Sequence, residues 1–168
     1  RKETRTHVFH FASVVDNFDF SAWPALIQRF GMPEKYFMVS NQFHNHKNHK
    51  VLLEALVKLK ERGIKPFIAM TGRLPEDNSS YILSLKELIE KHELAEQVCF
   101  LGVINRHEQL TLMKNAQAVI QPSLFEGWST VIEDAISLQT PVIAANLDVN
   151  IEQLGNWGTF FDPHNPAQ

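Results

Sequence analysis

The residues best suited to chemistry lie in one stretch, Pro122 to Pro141, PSLFEGWSTVIEDAISLQTP. It holds a carboxylate, Glu126, then Gly127 and Trp128, then Ser129 and Thr130, and then two more carboxylates, Glu133 and Asp134. Gly127 permits a turn conformation that a side chain would forbid. Ser129 and Thr130 fall where a helix should start. Free N–H groups at a helix start, with the positive end of the helix dipole, form an anion site. A carboxylate at Glu126 would itself be stabilised there, so a capping role competes with a ligand-facing one. Asp134 lies four residues beyond Thr130 and shares its helix face. Glu133 is rotated about 100° from it and reads equally well as solvated helix surface. The stretch can therefore meet both a phosphate and the hydroxyls of a polyol.

A second cluster is NQFHNHKNHK, residues 41–50. Lys47 and Lys50 can clamp phosphate oxygens. A solvated basic turn is the plain alternative. His44, His46 and His49 interleave with them, but no carboxylate or cysteine nearby completes a metal set. Gly72 follows the apolar run FIAMT, and Gly102 follows CFL. Each either lets a ligand approach the backbone or simply makes a turn. No G-x-G-x-x-G follows a strand, and no P-loop or G-x-S-x-G elbow is present.

The elements that must position these residues are regular from Tyr36 onward. Strands are expected at 36–40, 66–71, 98–101, 118–121, 142–145 and 158–161. Helices are expected at 49–62, about 80–92, 105–115 and 129–138, with a helical turn at 148–154. Leu52, Leu56 and Leu59 share a helical face, with Leu53 beside them. Asn48 should cap the first of these helices and Gly63 should end it. Asn105 and Glu108 form an Asn-x-x-Glu capping box. Strands alternating with long helices mean βαβ units. With right-handed crossovers this is an α/β, doubly wound, Rossmann-like parallel sheet. Ligands then bind at the carboxyl ends of the strands, at loops 41–48, 72–79, 102–105, 122–129 and 146–148. Before this pattern the chain is less regular. His7–Phe11 reads as a short strand, Asp16–Phe20 as a turn, and Ser21–Phe30 as a helix closed by Gly31.

The 168 residues suffice for one buried domain. A net charge of −3 gives no case for nucleic acid or an anionic membrane. One cysteine, Cys99, rules out an intramolecular disulfide and fits a reducing compartment. No apolar run approaches the roughly 20 residues of a membrane span. The RKETRTH start has neither an initiator Met nor the apolar region of a signal peptide, as expected of an excised or processed domain.

PSLFEGWSTVIEDAISLQTPVIAAN resembles the donor-site signature of retaining, group 1 glycosyltransferases of GT-B architecture. YFMVSNQFHNHKNHKVLLEAL and FLGVINRHEQLTLMKNAQAVIQPS resemble that family's first strand, phosphate loop and helix, and the segment leading to the signature. The resemblance covers most of residues 36–163 and implies one half of a GT-B enzyme. Residues 36–168 would be the nucleotide-sugar-binding domain, and 1–35 a linker and N-terminal extension. The acceptor-binding domain would be absent from this chain, so the isolated domain is not expected to catalyse transfer.

By the same resemblance, Glu126 matches the family glutamate near the donor sugar. Asp134, eight positions on, matches the one that binds ribose, with Glu133 able to serve instead. Gly127, Trp128, Ser129 and Thr130 match the turn whose amides hold the pyrophosphate. Lys47 matches the diphosphate lysine, while Gln42 stands where an arginine is usual and brings no charge. Val103 and Ile104 match the stretch whose backbone reads the base. No metal or cofactor is implied, because Lys47 and the helix start would stabilise the leaving diphosphate. The implied partners are a nucleotide-sugar donor and a sugar or lipid-linked acceptor held mainly by the absent domain. The implied location is cytoplasmic, with peripheral membrane association left open. The rivals are a sugar-nucleotide epimerase or phosphorylase of the same architecture and a non-catalytic Rossmann-like binding module. The binding module predicts that Lys47, Glu126 and Asp134 do not cluster.

Overall fold

Four-residue apolar runs (FMVS, IAMT, VIAA) can be strands only if both faces are covered, and the fold covers them. The protein is described by a computed structural model covering residues 6–15, 18–74 and 79–167. In chain order the elements are α1 (Trp23–Phe30), β1 (Phe37–Ser40), α2 (His49–Glu61), β2 (Ile68–Thr71), α3 (Ser80–Lys91), β3 (Val98–Gly102), α4 (Arg106–Asn115), β4 (Val119–Gln121), α5 (Thr130–Ser137), β5 (Val142–Ala145), α6 (Asp148–Leu154) and β6 (Gly158–Phe161). All strand pairs are parallel. The sheet order is β3-β2-β1-β4-β5-β6. This is the doubly wound arrangement, and its order reverses between β1 and β4.

Strand side chains alternate between the two faces. Met38, Ala69, Val119 and Ala144 join one buried cluster with Leu26 of α1, Leu110 and Met113 of α4, and Ile132 and Ala135 of α5. Val39, Ile68, Met70 and Ile120 join the other, with Leu53 and Leu56 of α2 and Ile82 and Leu85 of α3. Each such large side chain contributes roughly 1.5–3 kcal/mol by burial. The α2 stripe is buried at Leu52, Leu53 and Leu56, while Leu59 is only half-buried.

The expected element bounds hold to within one or two residues, and the Asn105–Glu108 capping box is present. Helix α1 carries Pro in its first turn and ends on Gly31 in the left-handed region. It packs into the domain: Leu26 and Met32 are buried, and Trp23 Nε1 donates to the Tyr36 hydroxyl at 3.3 Å.

Two expectations are corrected. His7–Phe11 is not a strand. Val8 and Phe9 are 79% and 89% exposed, and β-formers without a neighbouring strand have nothing to pair with. Asn48 precedes α2 but makes no side-chain cap. Its Nδ2 donates instead to the carbonyls of Pro122 and Pro163, at 3.1 and 2.9 Å. Asp16 and Asn17 of the expected turn, and residues 75–78 of the loop after β2, lie outside the described residues.

Candidate functional site

A doubly wound sheet opens a crevice where its strand order reverses, because the loops beyond the two central strands diverge. Here those loops follow β1 and β4, and they carry Lys47 and Glu126. A single 3₁₀ turn, Asn45–Lys47, aims the lysine. Its Nζ lies 2.6 Å from Glu126 Oε1, with side-chain exposures of 18% and 10%. The same oxygen accepts from Gln121 Nε2 at 2.6 Å. Gln121 Oε1 accepts in turn from Asn41 Nδ2 at 2.8 Å. The loops are also tied through their backbones, since Leu124 N–H donates to His46 O at 2.7 Å. A partly buried ion pair holds only when hydrogen bonds satisfy its remaining atoms, and Gln121 provides one.

The pair borders a cavity of about 370 Å³. Of the sequence-derived candidates, Gln42, Lys47, Gly72, Val103, Ile104, Glu126, Trp128, Ser129 and Thr130 line it. Gly127 is exposed and does not line it. The N-terminus of α5 opens onto this space, with Ser129 as N-cap accepting from Ile132 N. The Ser129 amide is not free, however, as it donates to Gln153 Oε1 at 3.1 Å. The first-turn amides left for an anion are those of Thr130 and Val131, which have no intrahelical partner.

The two acidic residues of α5 lie off this cleft. Glu133 accepts from Gln153 Nε2 at 2.7 Å. Asp134 is 2% exposed. It accepts from Nη1 and Nη2 of Arg106, each at 2.5 Å, and from Ser13 Oγ at 2.5 Å. That bonding raises the Arg106 guanidinium above its ordinary value. The N-terminal segment runs along α5: Trp128 Nε1 donates to Phe11 O at 3.1 Å, and the His10 ring stacks on Trp128 at 3.7 Å. The chain thus pairs Lys47 with Glu126, while Asp134 is held by Arg106 and Ser13 and does not line the cavity. The binding-module rival's prediction fails for Lys47 and Glu126.

The structure adds lining residues that the sequence did not single out, among them Asn41, Arg73, Gln109 and Gln121. Gln109 Nε2 donates to Ser40 Oγ at 2.6 Å. A polar residue closing an apolar strand was the available signal for Gln121. Gln153, reaching in from α6, left none.

Gly72 is needed for geometry. Its φ is +152°, and an added Cβ would sit 2.2 Å from Asn41 O. Gly72→Ala is expected to lower stability by about 2 kcal/mol or more, from backbone strain plus overpacking. A denaturant midpoint equal to wild type would refute this.

The chain belongs to the group 1 glycosyl transferases, whose family model matches residues 27–168. It is 28% identical over 132 residues to the O-antigen chain mannosyltransferase RfbU of Salmonella typhimurium, covering 77% of this chain and 35% of that protein. It is 26% identical over 137 residues to the human alpha-1,3/1,6-mannosyltransferase ALG2, covering 76% and 33%. Among solved structures, it matches Anabaena HepE in complex with UDP and glucose with a TM-score of 0.75 and 21% identity, over 92% of this chain and 44% of that one. A Rickettsia africae glycosyltransferase matches with a TM-score of 0.76 and 22% identity, over 90% and 40%. The chain thus spans about a third of the length of its curated relatives. Its fold is one Rossmann-like half of a GT-B enzyme.

Proposed function

We propose that the β1/β4 cleft binds the nucleoside diphosphate of a sugar donor, and that the full-length enzyme passes the glycosyl group to an acceptor with retention of configuration. The carrying observation is the Lys47–Glu126 pair at 2.6 Å, set at the strand-order switch beside the start of α5. As the bond to the diphosphate breaks, negative charge grows on the leaving oxygens. Lys47 and the amides of Thr130 and Val131 are preorganised to meet it, and such donors stabilise a transition state without reorganising. No cofactor is called on. Glu126, held by Gln121 and Lys47, faces the hydroxyls of the sugar. The backbone at Val103 and Ile104 borders the base. For Asp134 to meet a ribose, Arg106 and Ser13 must first give way.

The solved HepE complex, which holds UDP and glucose, supports a nucleotide-sugar donor. The acceptor, a sugar or lipid-linked sugar, would sit mainly on a second domain, so this chain alone is expected not to transfer. A cytoplasmic location belongs to the same proposal. Among the described residues no helix is long and apolar enough to cross a membrane.

Titrating the chain with UDP and with GDP by calorimetry tests this reading. Binding of one of them at or below millimolar concentration is expected. No binding of either would overturn it.

A further inference from the structure

We propose that Arg73 is a diphosphate-binding residue of this cleft, an inference that rests on the nucleotide reading above. Charge motivates it. Among the described residues, three charged side chains line the cavity: Lys47, Arg73 and Glu126. Lys47 and Glu126 pair at 2.6 Å, so together they offer a diphosphate little net charge. The diphosphate carries more than one negative charge and needs another cation. Gln42, on the loop that carries Lys47, supplies none.

Arg73 is built into place. The close approach of Gly72 to Asn41 O seats the end of β2 against the β1 loop. The Arg73 N–H then donates to Gln42 Oε1 at 3.0 Å. Gln42 therefore anchors the backbone of the cationic residue instead of contributing charge itself. Arg73 is exposed, and its guanidinium makes no hydrogen bond or ion pair among the described residues. A guanidinium presents a planar fork that matches phosphate oxygens in pairs, which an ammonium does not. Because it recognises phosphate and not base or sugar, its loss should cost affinity in proportion to the phosphates present.

The experiment compares wild type with R73A and R73K, titrating each with nucleoside diphosphate and monophosphate of the base that binds. Wild type is expected to prefer the diphosphate. In R73A that preference should shrink by about tenfold, roughly 1.4 kcal/mol, with little change in melting temperature, since the exposed guanidinium makes no hydrogen bond or ion pair among the described residues. R73K should recover part of the preference, supplying the charge without the fork. If R73A keeps the wild-type preference, or if wild type shows none, Arg73 has no such role and the nucleotide reading survives. If wild type binds no nucleotide at all, that reading falls and this inference falls with it.

Discussion

Replacing Glu126 by alanine in the full-length enzyme is expected to lower glycosyl transfer about 10²-fold or more, and replacing Lys47 by alanine to do the same. The two losses have different origins. On the proposed reading, without Lys47 the developing diphosphate charge would meet only amide dipoles and the more exposed Arg73. Without Glu126 the Lys47 ammonium, 18% exposed, loses its counter-charge, and Gln121 Nε2 loses its 2.6 Å acceptor. Lys47 is then free to pair with ground-state phosphate, which tightens donor binding while slowing the chemistry. Steady-state kinetics should therefore show a lower kcat for both variants, with donor KM raised in Lys47→Ala and not in Glu126→Ala. Because the side chains touch, the double variant should lose less than the sum of the single losses. Rates near wild type for either single variant would remove that residue from the mechanism.

Lys47 and Glu126 were legible from sequence because each sits at a place defined by the whole pattern. Apolar runs separated by amphipathic helices fix a parallel sheet, and a parallel sheet puts its ligands at strand ends. The loops after the first and fourth strands then follow. The partners of these residues were not legible, because a hydrogen bond across the fold leaves no periodicity. Asp134 lies on the predicted helix, yet its two partners come from 28 and 121 residues away. Asn48 shows the same limit in reverse. Local propensity makes it a helix cap, but two distant carbonyls take its side-chain amide instead. Ser129 caps α5 where its sequence context places a helix start, while the claim on its amide by Gln153 comes from an element with no outward sign of interest. The strand expected at His7–Phe11 failed for a related reason: strand propensity describes a residue, whereas pairing requires a neighbour.

His49 leads to the second large effect, on stability. It opens α2, one residue beyond Asn48, and is fully buried. Its ring stacks on Phe43 at 4.5 Å and tilts against Tyr81 at 6.3 Å. Neither ring nitrogen has a hydrogen-bond partner among the described residues. Burial lowers its pKa from 6.5 to about 4, and the positive charges of Lys47 and His44 push the same way. The unfolded chain, with the ordinary value, binds a proton first as pH falls. Stability from this group is therefore complete above about pH 6.5 and is lost as pH falls toward 4. The loss should reach about 2 kcal/mol by pH 5 and about 3 kcal/mol below pH 4. Other groups titrate in the same range, so the comparison that isolates His49 is with His49→Phe, an apolar ring of similar shape. Denaturant unfolding at pH 7.5 and pH 5 should show wild type losing about 2 kcal/mol more than the variant. At pH 7.5 the variant should be no less stable, since it removes two buried nitrogens that have no partner. Equal pH dependence in the two proteins would mean that His49 titrates normally. The position of this group gives the effect a functional side. It sits in the first turn of α2, just beyond the 3₁₀ turn that carries Lys47, so acid that protonates His49 should loosen the support of that turn. In the folded chain His49 takes up a proton only near pH 4, so nucleotide affinity should hold through the range in which stability falls, drop near pH 4 in wild type, and persist further into acid in His49→Phe.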